Sequence, residues 1–336
     1  MVAFYQLSIA LGILCAYLVN AGLLSWSDSD SVHFTGFLKW VIADEVWRSM
    51  FGSGIVPAVL FIILILVVPE SPRWLALNAR ESQALTILSR LDDQSSPEQH
   101  RLTLQEIRSS AESDRVSIRS IFTGGFGLVL LLGIALAMLQ QLSGINAVLY
   151  YGPRILENAG FSLSHALGGQ VVIGLSMVIF TLMAIWKVDR WGRRIMLIIG
   201  ASGALLSHVI IGILFHQGVN QGVTMLLFIM LFVACFSFSY GPVIWICLSE
   251  IFPNRIRGRA MSIATLMLWG TNALLGQMVP LMLERMNTAY TFWIFALFCI
   301  PTLLIAWKVL PETKGKTLEE IERHWIRKGK AGKRIS

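Results

Sequence analysis

Residues 125 to 153 read GFGLVLLLGIALAMLQQLSGINAVLYYGP, and this stretch decides the fold. Its first half is apolar enough to enter a bilayer, whose hydrocarbon core takes about 20 apolar residues to cross. Its second half places Gln140, Gln141 and Asn146 at the inner end of that apolar run. Polar side chains at membrane depth are costly unless they face protein or water, so these amides are candidates for a functional site.

The apolar character extends over the whole chain. Its 336 residues are 55% hydrophobic and 14% charged, whereas a soluble domain carries roughly 25% charged residues. Eight runs are long and apolar enough to cross a membrane: 3–24, 52–69, 125–150, 168–187, 195–215, 222–248, 259–283 and 290–309. The sequence therefore predicts an all-α polytopic membrane protein with eight transmembrane helices and excludes a soluble fold.

The basic residues explain the net charge of +7. Of the 27 Lys and Arg residues, 23 lie in alternate loops, namely 70–121, 187–194, 250–259 and the tail from residue 308. This strict alternation is what the positive-inside rule expects when both termini are cytoplasmic. It argues against a nucleic-acid patch. The chain has no Asn-x-Ser/Thr acceptor, which favours a bacterial inner membrane over a eukaryotic secretory one.

No sequence feature points to catalysis. All four cysteines fall inside apolar runs and lack the close Cys/His spacing of a metal site. No nucleophile and base pair appears at membrane depth. We therefore expect a protein that is not an enzyme, has no metal or cofactor, and works as a monomer in the lipid bilayer. An integral-membrane enzyme is the weakest alternative.

Two similar strings, VPES at 68–71 and LPET at 310–313, each follow an apolar run and open a charged segment. They indicate an internal repeat, as is common in secondary transporters, or a chance likeness of four residues. The segment 70–121 keeps apolar residues at helical spacing among balanced charges. This pattern predicts short amphipathic cytoplasmic helices. A surface-lying membrane anchor is the alternative, which its acidic residues disfavour.

Six motifs in order carry a resemblance to a known family. They are PESPRWL (69–75), QQLSGINAVLYY (140–151), VDRWGRR (188–194), YGPVIW (240–245), SEIFPNRIRGRA (249–260) and PETKGKTLEEIE (311–322). Together they resemble the sugar porter family of the major facilitator superfamily, from Met1 to about Trp325. The resemblance implies the major facilitator fold, present here incompletely, with the chain beginning at the fifth of twelve helices. By this reading the chain is a fragment or a truncated reading frame.

The resemblance also implies a division of the chain. Residues 1–69 would be the last two helices of the N-terminal bundle, 70–121 a cytoplasmic linker, 122–310 the six-helix C-terminal bundle and 311–336 a basic cytoplasmic tail. The implied function is transport of a monosaccharide or polyol by alternating access, coupled to protons in the complete protein. The alternatives are a non-transporting remnant and a sugar-binding membrane sensor.

The amides suit such a substrate, because neutral amides both donate and accept hydrogen bonds without the desolvation cost of a charge. On a straight helix, however, Gln140, Gln141 and Asn146 would point at roughly 0°, 100° and 240°. A break at Ser143 and Gly144 would turn them toward one cavity, as discontinuous helices do in transporters. The alternative is that the two glutamines only bond neighbouring helices.

By the resemblance, nine residues bind substrate: Gln6, Gln140, Gln141, Asn146, Tyr150, Phe236, Trp245, Trp269 and Asn272. The indole of Trp245 would stack on the apolar face of a sugar ring, although an interfacial anchor is the alternative for this residue. Tyr150 and Phe236 would otherwise be ordinary packing. Expected hinges are Gly144, Gly241 and Pro242, where the proline is expected to break its helix.

Three positions depart from the family pattern, because Ile13, Met177 and Leu268 stand where relatives usually carry an amide. Losing a partner for a substrate hydroxyl costs on the order of 1 to 3 kcal/mol. The departures predict a less hydroxylated or differently shaped sugar or polyol, or drift in a decaying gene.

The resemblance further implies a cytoplasmic salt-bridge network that holds helix ends together in one state of the cycle. Its expected members are Glu70, Arg73, Asp189, Arg193, Glu250 and Arg257. Solvated topogenic charge is the alternative. No Asp or Glu falls inside any predicted run, so the chain offers no carboxylate for proton coupling. His208 lies deep in a run, where packing or a helix contact is the expected role.

Overall fold

The computed structural model describes residues 2–27, 35–92, 95–113, 126–218, 222–253 and 256–316, together with 320, 321, 323 and 325. Most of the predicted basic tail and the predicted boundary at 121–122 lie outside these residues. Every regular element in the described part is helical. The helices are α1 (Val2–Ser27), α2 (Gly36–Lys39), α3 (Val46–Ser53), α4 (Ile55–Val67), α5 (Pro72–Leu77), α6 (Glu81–Leu91), α7 (Pro97–Ser113), α8 (Phe126–Leu142), α9 (Ile145–Asn158), α10 (Leu163–Trp191), α11 (Arg193–His216), α12 (Gly222–Cys235), α13 (Gly241–Ile251), α14 (Arg257–Arg285) and α15 (Thr288–Leu304).

Eight helical stretches of the described chain are long and apolar enough to cross a membrane, which confirms the predicted number. They are Phe4–Ser27, Val46–Val67, Gly127–Asn158, Leu163–Trp191, Arg193–His216, Gly222–Ile251, Arg257–Arg285 and Thr288–Val309. Several combine two helices or end in a π-helical turn, as at Ile305–Val309 after α15.

The third span runs eight residues beyond its predicted end at 150, to Asn158. Hydropathy falls there because Arg154 and Glu157 enter the sequence. Packing continues the helix, since Arg154 pairs with Glu284 at 3.4 Å and the Asn158 amide donates to the Thr288 hydroxyl at 3.4 Å.

The chain divides into two compact units, one of residues 1–46 with 121–336 and one of residues 47–120. In the smaller unit, α5, α6 and α7 pack around Leu75, Ala76, Ala84 and Leu104. The α5 helix begins where the Ser71 hydroxyl accepts the N–H of Trp74 at 3.1 Å, a standard N-cap. The predicted segment 70–121 thus contains three short helices, while the four predicted domain boundaries stay a prediction.

In the larger unit, glycines let helices approach closely, as is usual where helices pack in membranes. A Cβ at Gly174 of α10 would lie 3.0 Å from the Tyr17 ring and 3.2 Å from the Leu14 Cα of α1. A Cβ at Gly212 of α11 would lie 2.1 Å from the indole nitrogen of Trp293 of α15. These contacts bring α1 against α10 and α11 against α15.

The helix that contains Gly241 and Pro242 is not broken, which corrects the expectation from the proline. A π-helical turn at Phe236–Tyr240 joins α12 to α13, and the Gly241 N–H bonds to the Phe236 carbonyl. Pro242 is the second residue of α13, the helix that follows the π-helical turn directly. The wider turn accommodates the proline without an interruption. A hinge role for the pair stays a prediction.

Candidate functional site

A cavity of about 560 Å³ opens within the larger unit, among α1, α8, α9, α10, α13, α14 and the π-helical turn. Sites for small molecules usually measure about 300–1,000 Å³. Its lining comprises Tyr5, Gln6, Ile9, Ala10, Ile13, Ala16, Tyr17, Gln140, Gln141, Ile145, Asn146, Leu149, Tyr150, Met177, Thr181, Phe236, Ser237, Gly241, Pro242, Trp245, Thr265, Leu268 and Trp269. Eight of the nine predicted binding residues are in this set, and Asn272 lies just behind it.

The three amides of the opening stretch reach one cavity because the helix is interrupted between them. The α8 helix ends at Leu142 and α9 begins at Ile145, with Gly144 at φ +88° between them. This left-handed conformation is readily available to glycine and costly for other residues. Gln140 and Gln141 therefore project from the end of one helix and Asn146 from the start of the next.

A chain of side-chain hydrogen bonds links these amides to α14. The Asn146 amide group donates to the Gln141 side-chain oxygen at 2.6 Å and to the Asn272 side-chain oxygen at 2.8 Å. The Asn272 amide group lies 3.4 Å from the Tyr150 hydroxyl. Asn272 thus orients Asn146 from behind the lining.

Gln140 has one end engaged and one end free. Its amide group donates to the Tyr240 carbonyl at 2.7 Å, so it does bond a neighbouring helix. Its side-chain oxygen is buried and has no partner among the described residues. The Ser237 hydroxyl, also in the lining, is likewise buried and unpartnered within that part of the chain. Buried polar atoms of this kind usually have a partner, and a ligand with hydroxyl groups could supply one to each.

Aromatic rings border the same cavity. Trp245 of α13 is half-buried, whereas Tyr150 and Trp269 are 55% and 56% exposed. Phe236 stacks on Tyr240 with ring centroids 5.7 Å apart. The lining thus combines flat apolar surfaces with a few convergent amides, a combination that suits a sugar ring.

The three positions where relatives usually carry an amide all line the cavity, as Ile13, Met177 and Leu268. Their side chains make part of its wall apolar. Hydroxyl-bearing residues that sequence reasoning missed lie one helical turn away, namely Tyr17, Thr181 and Thr265. They could have been identified from the sequence, because each lies three or four residues from one of the three positions and such neighbours share a helix face.

His208 of α11 is fully buried behind the break. Its Nε2 lies 2.9 Å from the Ser143 carbonyl. A carbonyl only accepts, so Nε2 carries the proton and donates. The backbone leaves this carbonyl available, because the Ala147 N–H bonds to the Gly144 carbonyl instead. The histidine is therefore a helix contact that supports the break, and not packing alone.

A second polar cluster lies where α10 ends, α11 begins and α13 ends. Arg193 contacts Glu250 at 2.9 Å and Asp189 at 3.2 Å, and the Thr313 hydroxyl donates to Glu250 at 2.6 Å. Arg257 instead donates its Nε to the Phe252 carbonyl at 3.4 Å, and no carboxylate in the described part pairs with it. Glu70 and Arg73 belong to the smaller unit, and their predicted part in the network stays a prediction.

Glu312 completes this cluster, although sequence reasoning gave it no role. Its carboxylate accepts the backbone N–H groups of Arg193 and Arg194 at 3.0 and 3.1 Å, which places a negative charge at the N-terminus of α11. A Cβ at Gly192 would lie 2.6 Å from this carboxylate, so only glycine fits there. The sequence did contain a signal for this residue. The similar strings VPES and LPET each place an acidic residue just after an apolar run, and in LPET that residue is Glu312.

Comparison with known proteins agrees with this architecture. The family model for sugar (and other) transporters matches residues 1–325. The arabinose-proton symporter of Bacillus subtilis (strain 168) is 39% identical over 324 residues, which cover 96% of this chain and 67% of that protein. The D-xylose-proton symporter of Escherichia coli (strain K12) is 36% identical over 331 residues, covering 97% of this chain and 64% of that protein.

A solved structure shares the fold. It is that of a proton:xylose symporter of the major facilitator superfamily bound to 6-bromo-6-deoxy-D-glucose, with a TM-score of 0.75 and 36% sequence identity. The alignment covers 96% of this chain and 66% of that one, so the chain spans about two thirds of the length of the relatives it matches. The predicted resemblance to the sugar porter family is confirmed. With a matching family model over nearly its whole length, the chain belongs to the sugar transporter family, the sugar porters of the major facilitator superfamily.

Proposed function

We propose that this chain binds a monosaccharide or polyol in its central cavity as part of a transporter that works by alternating access. The observation that carries the proposal is the convergence of Gln140, Gln141 and Asn146 on one cavity from both sides of the Gly144 break. Neutral amides at membrane depth can replace the water that a polyhydroxy solute loses, without the cost of burying a charge.

The free and engaged ends of the amides suggest how a sugar would bind. The unpaired oxygen of Gln140 is buried, and it would accept a hydrogen bond from a sugar hydroxyl after the side chains that cover it move aside. Gln141 and Asn146 already bond each other, so a second sugar hydroxyl would replace one of these two side chains as the hydrogen-bond partner of the other. The indoles of Trp245 and Trp269 offer flat surfaces to the C–H face of the ring. Gln6 would approach from α1, and Asn272 would hold Asn146 in place.

Alternating access requires contacts that form in one state and part in the other. We propose that the pairs of Arg193 with Glu250 and Asp189 are such contacts. The Arg193 side chain is 11% exposed and Glu250 is 23% exposed, so solvent screens their attraction less than it screens an exposed pair, which is worth about 0 to 1 kcal/mol. Glu70 and Arg73 are proposed as the matching pair of the smaller unit.

Proton coupling is proposed for the complete transporter and not for the sugar site itself. Both curated relatives described above are named proton symporters. No Asp, Glu or His is among the residues that line the cavity in the described part of the chain. The titrating group would therefore lie outside this lining. We further propose a monomer in the bacterial inner membrane with both termini in the cytoplasm, as the basic loops predict.

The proposal is tested by equilibrium binding of tritiated L-arabinose and D-xylose to the purified chain in lipid nanodiscs. Gln141→Ala and Asn146→Ala should each weaken binding at least about fivefold, because each leaves a sugar hydroxyl without a partner. Gln277→Ala is the matched control, since Gln277 is an exposed amide of α14 outside the lining. Sugar binding that ignores the first two variants would refute the site.

Transport is tested separately, by uptake of the same two sugars into proteoliposomes. Entry of sugar down its gradient, slowed by the two cavity variants, would support alternating access. Binding without entry would leave a sugar-binding membrane protein and refute transport by this chain.

A further inference from the structure

Three helices of the larger unit contain an internal proline: Pro153 in α9, Pro280 in α14 and Pro301 in α15. Proline has no N–H, so the carbonyl four residues earlier loses its helical donor. Those carbonyls belong to Leu149, Gly276 and Leu297. In a bilayer no water replaces the donor, and a neighbouring side chain must supply it.

Tyrosine hydroxyls supply it at two of the three positions. The Tyr17 hydroxyl donates to the Leu149 carbonyl at 3.0 Å, and the Tyr151 hydroxyl donates to the Gly276 carbonyl at 2.7 Å. The Leu297 carbonyl receives no side-chain donor from the described residues, so the pairing does not follow automatically from a proline. Each bond joins two different helices.

Both bonds act on α9, the helix that follows the break. Tyr17 reaches α9 from α1, and Tyr151 reaches from α9 to α14. The atoms concerned lie within one turn of Tyr150, and Asn146 is on the same short helix. The α9 helix is therefore held between α1 and α14 by two hydroxyls, in addition to the bond from Asn146 to Asn272.

We propose that Tyr17 and Tyr151 are positioning residues of the sugar site, and that their hydroxyls replace the donors withheld by Pro153 and Pro280. The inference rests on the proposed function for its effect on sugar. Phenylalanine keeps the ring of either tyrosine and therefore its packing. The positioning role is thus assigned to the hydroxyl.

The test combines each Tyr→Phe change with the proline that creates the need for it. Tyr17→Phe should weaken arabinose binding to the nanodisc-embedded chain about threefold, which corresponds to ~0.6 kcal/mol, a typical value for a hydrogen bond between membrane helices. In a Pro153→Ala background the Ala N–H can bond the Leu149 carbonyl, and Tyr17→Phe should then change binding little. The second pair should show the same pattern: Tyr151→Phe should weaken binding by itself and should change it little in a Pro280→Ala background.

A second measurement does not depend on sugar. Hydrogen–deuterium exchange of residues 145–158 without ligand should rise in Tyr17→Phe and return toward the wild-type level in Tyr17→Phe/Pro153→Ala. Tyr290→Phe is the control, because Tyr290 lies on α15 outside the cavity and its hydroxyl bonds no other described residue.

The outcomes separate the two proposals. If the wild type binds no sugar, the proposed function fails, while the exchange data still show whether the hydroxyls hold α9. Lower thermal stability with unchanged sugar affinity and exchange would mean a structural role only and would overturn the inference. Equal effects of Tyr→Phe with and without the proline would overturn it as well.

Discussion

Replacing Gly144 with alanine should disturb both the backbone and the packing of the site. The residue has φ +88°, and its Cβ would lie 2.6 Å from two ring atoms of Phe295. That ring is almost fully buried and has His208 and Phe292 as neighbours, with centroids 5.9 and 6.3 Å away. It has no open space into which to turn.

Two terms set the size of the effect. A non-glycine residue in the left-handed region costs about 1–2 kcal/mol, and overpacking in a well-packed core costs about 1–3 kcal/mol. Together they predict a destabilisation of about 2–5 kcal/mol. Relief would come from shifting α9 away from Phe295, which would separate Asn146 from Gln141 and weaken sugar binding about tenfold, the effect of losing one hydrogen bond of ~1.4 kcal/mol.

The assay is urea or thermal unfolding of the chain in mild detergent, with sugar binding measured in parallel. Gly168→Ala is the matched control, because Gly168 is in the interior of α10 and has nothing within 4 Å of its added Cβ. That change should leave stability equal or raise it by up to about 1 kcal/mol. Gly144→Ala/Phe295→Leu should recover the overpacking part and keep the backbone part.

Wild-type stability and affinity in Gly144→Ala would refute the reasoning, since both the left-handed backbone and the contact with Phe295 would then be wrong. Equal losses in Gly144→Ala and Gly168→Ala would refute it too, by showing a general intolerance of larger residues in these helices.

Three further predictions follow from the site and the polar cluster. His208→Phe should destabilise the chain by about 1–3 kcal/mol in thermal unfolding, because it leaves the buried Ser143 carbonyl without a donor; His208→Gln, which keeps an amide donor, should lose less, and equal losses would contradict a donor role. Glu312→Gln should cost about 0.3–2 kcal/mol, since it removes the charge at the N-terminus of α11; the loss should shrink in high salt, and a loss independent of salt would argue against an electrostatic origin. Sugar affinity should stay constant within about twofold between about pH 5.5 and 8, because amides, hydroxyls and indoles do not titrate there; a titration in this range would contradict a site built only from these uncharged groups.

Part of the architecture could be predicted from the sequence because hydropathy is a local sum. Eight apolar runs predicted eight spans, and each span appears in the structure. The amides could be recognised as unusual because their cost at membrane depth does not depend on the fold. The glycine between them could be recognised as a residue at which helices commonly end.

Other features depended on contacts between distant residues. The helix was expected to break at Pro242, but a π-helical turn stabilised through Gly241 and Phe236 carries it onward. Glu312 lies 119 residues from the Arg193 N–H that it accepts. No local pattern indicates which carboxylate will reach which helix end.

The sequence by itself determined the membrane class, the number of spans and the presence of uncharged polar residues among them. This is because the free energy of placing a segment in lipid is close to a sum over its individual side chains. Only the tertiary structure decided that Gln140, Gln141 and Asn146 meet in one cavity, that Asn272 and His208 support them from behind, and that tyrosines occupy the donor positions left by Pro153 and Pro280. Side-chain direction and hydrogen-bond partners are set by how helices pack against each other, and that packing is a property of the whole bundle.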